Sequence, residues 1–503
     1  MKKLVAVFLL LCMLIPLAVS CGEKNPAATT TAPSGDGNTP TEPVETTAAV
    51  TTVYPDIPTD VKYDDYEFVI LSCLASSISF NDFSVENTDY DVVNDAIFKR
   101  NSEAERLLGI IITSTEVNGN VFSEGIGVTT LRQDFTAGES NYDLCGLSTW
   151  HAATCALNGY LTDFEELSYI DLEKPWWDQR ITTDLGIGNK MFYSNGDIGI
   201  TDNLATHCIL FSKTIAEEKN ITDIYDLVLE GKWTWDKFEE YVRMVSNDLN
   251  GDDIMDENDQ FGLLCWNDAF QASFGASRCK IASPNPDTGA LELTMYNDKT
   301  VSLANRITNL CYDIRYAINT TSVAYSAKVT DAHGGPVGMF GKGLGLFVTN
   351  IFKNIPTLRD VEMDFGIIPY PKYDESQQEY GGYVSATYSN MYGVQYHNED
   401  LERAGVVTEL LACLSMQFVT PAYYEQTLKG REARDEESIQ CLEIIFANRS
   451  FDAGVFYSIG GYTGSLTDMM KNLSTKFENI YNTSKRSADM KLKTINKKFV
   501  TEE

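Results

Sequence analysis

The chain has 503 residues, a formal net charge of −33 and a hydrophobic content of 43%, with 11% aromatic residues. So acidic a chain argues against nucleic acid as a partner and against direct adhesion to an anionic membrane surface. Its body, roughly 440 residues long, exceeds the size at which one core keeps growing, so two lobes are expected.

Lys2 and Lys3 precede an apolar run at 4–17, broken by Cys12 and Pro16. The run is too short for a permanent anchor and has the form of a secretory h-region. Leu17-Ala18-Val19-Ser20-Cys21-Gly22 follows, small residues leading into a cysteine. This resembles the lipobox of bacterial lipoproteins, departing from it at Ala18, where that motif usually has Leu. The resemblance implies a signal peptide at 1–20 and a lipid on the Cys21 sulfur. Residues 21–60 are rich in Thr, Ala, Pro, Gly and Glu, too poor in large apolar groups to offset ordering entropy. A disordered tether is expected there, holding a soluble body outside the cytoplasmic membrane, extracellular or periplasmic.

In the body, 66–71 reads as a strand, 92–108 as an amphipathic helix and 109–113 as a second strand. The helix is expected to turn Asp95, Lys99, Arg100, Glu103 and Arg106 to solvent. Another helix at 129–136 and a strand at 142–147 complete a strand–helix–strand–helix–strand order. That order implies an α/β fold with a parallel sheet. Ligands of such sheets bind beyond the carboxyl ends of the strands, where Trp150 falls. Further strands are read at 208–211, 344–348 and 365–371, and mainly helix from about 400. Thr234 is the expected N-cap of a helix stapled by Trp233 and Phe238. Gly341-Lys342-Gly343 is read as a turn, because it lacks the GK[ST] ending and precedes a strand.

The stretch 248–259 carries the sharpest local motif. Asp248, Asn250, Asp252, Asp256 and Asp259 fall at positions 1, 3, 5, 9 and 12 of an EF-hand-like spacing, and Ile254 at position 7 offers a carbonyl. Asp253 replaces the usual Gly and must take the left-handed conformation, which Asp tolerates better than most. A structural calcium ion is the expectation. The alternative is a solvated acidic loop. Nine cysteines of the body are scattered without CxxC spacing, and the four histidines are isolated. Buried free thiols are expected, with one or two disulfides the alternative, and the spacing offers no zinc site.

The body resembles extracellular solute-binding proteins of family 1, the maltose-binding-protein-like lipoproteins of ABC transporters. Segments 93–101, 175–177, 194–198, 231–238, 260–262, 340–343, 365–371 and 421–425 carry the likeness through their order. The resemblance implies two α/β lobes, with 63–198 and 372–420 in lobe one and 203–366 and 421–503 in lobe two. Crossings are expected at 197–203, 367–371 and near Thr420. A monomer is expected, with an interlobe cleft that closes on a sugar or oligosaccharide and then engages ABC permease subunits. Trp150, Asp202, Asn203, Asn350, Phe352, Tyr383 and Tyr388 are the implied ligand residues. No catalysis is implied. The alternatives are a surface glycosidase and a ligand-sensing lipoprotein.

Overall fold

The computed structural model describes residues 54–75, 80–84, 91–119 and 125–500. The signal peptide, the lipidation of Cys21 and the tether expected before residue 54 lie outside the described residues. The expected strand at 66–71 runs on as Tyr66–Ala75 (β1). The Asp91 carboxylate accepts the N–H groups of Val93 and Asn94 and so caps the helix Val92–Leu108 (α1). Gly109 closes that helix in the left-handed conformation at φ 61°. Strand Ile110–Gly119 (β2) then pairs parallel with β1. Helix Ile126–Ala137 (α2) leads into Leu144–Ser148 (β3), parallel to the other edge of β1, and Thr149–Asn158 (α3) follows at once. The parallel order read from the sequence is therefore present.

The second sheet begins with His207–Ser212 (β4). It continues with Ser246–Asn247 (β5) and Gln260–Cys265 (β6). A small hairpin, Ala282–Pro284 (β7) and Leu291–Leu293 (β8), stands apart. Ala317–Asn319 (β9), Gly345–Ile351 (β10) and Phe365–Ile368 (β11) complete the sheet. β4 lies antiparallel between β10 and β11, while β6 runs parallel to both β10 and β9. Every residue of β4 and β10 is buried, which is why both are apolar through their middles.

The chain first passes from one sheet to the other through the short helix Thr201–Leu204. The second crossing does not lie at 367–371. Pro369 and Pro371 end β11, but a strand end is not a lobe end. The Lys372 backbone still bonds Trp233 and Trp235 beside the second sheet. The chain turns over only after Gly382–Tyr383 (β12), where Val384 bridges Thr206, and then enters Asn390–Gly393 (β13), antiparallel to β3. The third crossing, near Thr420, lies against the first: Thr420 Oγ1 donates to Asp197.

Two further expectations change. The C-terminal segment is not confined to lobe two. Ser438 accepts the β11 N–H of Ile367, yet Val455 accepts from Trp150 and Phe499 packs on Phe192. Arg100 is not on the solvent face of α1. It is fully buried, donating to Asp82 O, Ser415 Oγ and Ile198 O and lying over the Phe83 ring. Its guanidinium is satisfied by neighbours far along the chain, which helical periodicity does not reveal. Trp233 and Phe238 do meet edge to face, 5.9 Å apart, although the Thr234 side chain makes no capping bond. All nine body cysteines are buried thiols.

Candidate functional site

A cavity of about 730 Å³ opens where the carboxyl ends of β3 and β6 face one another. From the first side come Trp150 and His151, on the first turn of α3 directly after β3. From the second come Trp266, Asn267, Asp268 and Gln271, directly after β6. The second crossing adds Tyr383, Ser385, Thr387 and Tyr388, and the segment after Tyr457 adds Ser458, Thr463, Thr467 and Asp468. A second chamber of about 220 Å³ shares Trp266, Asp268 and Tyr388 and is walled by His207, Asn350, Lys353 and Asn354.

The lining has a common chemical character. Trp266 Nε1, Asn267 Oδ1, Gln271 Oε1, Thr463 Oγ1, Asn350 Nδ2 and both ring nitrogens of His207 are buried and have no hydrogen-bond partner among the described residues. Buried polar groups are normally paired, so such a concentration marks a surface that suits a polar ligand. Burial holds the His207 imidazole below its ordinary pKa, against the opposing pull of Asp268 3.7 Å away, so the ring is neutral near pH 7. The indoles and phenols supply flat apolar faces between these groups.

The structure brings Trp150, Tyr383 and Tyr388 to the large chamber and Asn350 to the adjoining one. Trp150 is fixed by its indole N–H, which donates to Val455 O at 2.9 Å. Asp202, Asn203 and Phe352 go elsewhere. Asp202 is fully buried and pairs with Arg449 at 2.8 Å, and the same guanidinium takes Asn203 Oδ1 at 2.7 Å and Asp178 at 2.8 Å. These groups belong to the hinge: a crossing residue has two sides to face, and Arg449 draws both away from the cavity. Phe352 is 1% exposed and packs on Phe446 in the core. Its place one residue after β10 misled, because β10 passes directly into the helical turn Phe352–Leu358.

Trp266, Asn267, Asp268 and Gln271 were missed. The signal was available, since they follow the carboxyl end of a parallel strand by the same rule that singled out Trp150. His207, Thr463 and Asp468 had no such signal.

In the acidic loop Asp253 takes φ 62°, as its position requires. Asp248 accepts the N–H groups of Gly251 and Asp253, Asn250 that of Asp252, and Asp252 that of Ile254. Asp256 accepts from Asn258, and buried Asp259 from Leu249 and Asp256. The side chains thus serve the loop's own backbone. Among the described residues no three His, Cys, Asp or Glu side chains stand close enough to share a metal ion.

No family model and no curated protein matches the chain. Solved structures do. The galacto-N-biose/lacto-N-biose I-binding protein of an ABC transporter from Bifidobacterium longum, in complex with lacto-N-biose, superposes with a TM-score of 0.57. It shares 12% identity over 86% of this chain and 99% of that one. A cyclo/maltodextrin-binding protein complexed with maltotetraose gives 0.54 at 13% identity, covering 88% and 99%. A family 1 extracellular solute-binding protein from Bifidobacterium longum subsp. infantis gives 0.53 at 13%, covering 86% and 100%. At such identities the likeness is one of fold. The chain has the two-lobe α/β fold of these solute-binding proteins.

Proposed function

We propose that this protein is an extracellular solute-binding lipoprotein of the family 1 type, which captures a sugar or oligosaccharide between its lobes and delivers it to an ABC permease. The observation that carries the reading is the large cavity between strand ends, where aromatic faces adjoin the buried, unpartnered amide oxygens of Asn267 and Gln271, the Thr463 hydroxyl and the Trp266 indole N–H. A carbohydrate offers the complement: apolar ring faces to stack, and hydroxyls that both donate and accept. The sugar complexes among proteins of like fold support the same ligand class and a binding role without turnover. The Cys21 motif supports a lipid anchor. Hinge closure on the ligand would present the form that a permease recognises.

The test is calorimetry and thermal shift of the full-length protein in mild detergent against mono- and oligosaccharides. Ligand at about 100 times its dissociation constant adds roughly 2.7 kcal/mol of stability. Binding with the sugar recovered intact supports the reading. A consumed sugar would point to a glycosidase, and silence across the panel would refute the carbohydrate assignment. Loss of membrane association in a Cys21→Ala variant tests the anchor.

Calcium at 248–259 is a separate proposal. It would require these carboxylates to turn one oxygen each toward a common centre while keeping their backbone bonds.

A further inference from the structure

The smaller chamber differs from the larger in one respect. Lys353 is the lone lysine or arginine among the described residues that line the two chambers. It stands just beyond β10, in the turn Phe352–Leu358, with its Nζ 5.3 Å from the centre of the Tyr388 ring. Among the described residues no carboxylate pairs with it. Asp268 lines the same chamber, but the basic group nearest to it is His207, at 3.7 Å, and no ion pair joins it to Lys353.

Besides the Asp268 carboxylate, the chamber holds two N–H groups without an acceptor among the described residues. Asn354 Nδ2 donates to Asn350 Oδ1 at 3.1 Å, which commits the acceptor of that amide and leaves Asn350 Nδ2 buried without a partner. Trp266 Nε1, on the shared wall, is likewise a donor without an acceptor. An ammonium and two N–H groups therefore line one small space, and all three need acceptors. Neutral sugar hydroxyls satisfy such groups one at a time. An anionic oxygen pair or triad satisfies several at once, with charge-assisted bonds.

From this juxtaposition we propose that the chamber walled by Lys353, Asn350 and Trp266 is a subsite for an anionic substituent on the bound glycan, a uronate carboxylate or a sulfate ester. The inference rests on the carbohydrate reading of the large chamber and names the class of sugar it takes. The burial that holds the Lys353 ammonium below its ordinary pKa fits a cation whose counter-ion comes with the ligand. The acidity of the whole chain, −33, repels anions at long range. Discrimination in favour of an acidic sugar must then come from a local cation, as here.

The test is calorimetry of the full-length protein with oligogalacturonate, oligoglucuronate and a sulfated galactan oligosaccharide that carries no uronate, each against a neutral oligosaccharide of matched length. The wild type should bind at least one anionic member about 10-fold or more tightly than its neutral counterpart. Lys353→Met, which keeps the aliphatic stem over Tyr388, should erase that preference by about 10- to 100-fold, and Lys353→Arg should restore most of it. Lys353→Gln serves as a second variant, with melting curves checking that each is folded. The uronate and sulfate arms separate the two sources of charge. A neutral glycan bound as tightly as its anionic partner would overturn the subsite while leaving the carbohydrate reading intact. So would an anionic preference that survives Lys353→Met. If no saccharide binds at all, the carbohydrate reading itself falls, and the subsite with it.

Discussion

Glu409 sits inside the first lobe on the helix Leu401–Pro421, fully buried. Its two carboxylate oxygens accept the indole N–H groups of Trp176 at 3.1 Å and Trp177 at 2.9 Å. Among the described residues no cation faces it, and burial pushes its pKa from 4.5 up to about 7. Between these two values the folded state binds a proton that the unfolded state has released. Its stabilising contribution is complete below pH 4.5 and is lost as pH rises through 7. The shift corresponds to roughly 3 kcal/mol at 1.36 kcal/mol per pKa unit, lost by about pH 8. Replacing Glu409 with Gln removes the titration and keeps the shape. Because Asp197 and Asp452 are also pushed up to about 6 by burial, the wild type will retain some slope of the same sign from other groups. The difference between wild type and Glu409→Gln isolates this residue. With an unfolding entropy near 2.1 cal/mol/K per residue, the fall in melting temperature from pH 5 to pH 8 should be roughly 3 °C smaller in the variant. Equal pH slopes in the two proteins would refute the account of a proton held between two indoles.

Trp266→Ala should weaken binding of whichever oligosaccharide the protein takes by about 10- to 100-fold, with the fold intact by melting curve, because it removes a wall shared by both chambers. Gly405→Ala, within the helix Leu401–Pro421, would be worth about 1 kcal/mol of gain on helix propensity alone. Here a Cβ would stand 2.0 Å from Ser168 O, so denaturant titration should show a loss of about 1–3 kcal/mol instead. If calcium binds at 248–259, adding it should raise the melting temperature above that in EDTA, and Asp248→Asn should shrink the difference. Identical curves in calcium and EDTA would retire the calcium proposal.

The sequence was enough for local matters. The helix Val92–Leu108 was bounded correctly from its periodic apolar stripe, and in the structure Asp91 and Gly109 cap its two ends. The parallel sheet followed from element order, and Trp150 from its place after β3. The left-handed Asp253 followed from its position in the loop. What failed depended on partners distant in the chain. Arg100 was read as exposed because its spacing says so, but Asp82, Ile198 and Ser415 enclose it. Asp202 and Asn203 sit at a crossing, and only the position of Arg449 decides that they face the hinge and not the cavity. The second crossing moved because Lys372 pairs with Trp233, 139 residues earlier by number. Local propensity and periodicity act over a turn or a strand, and they are written in neighbouring residues. A binding cavity is made where segments far apart in sequence converge, so its membership is decided by packing, which no single segment encodes.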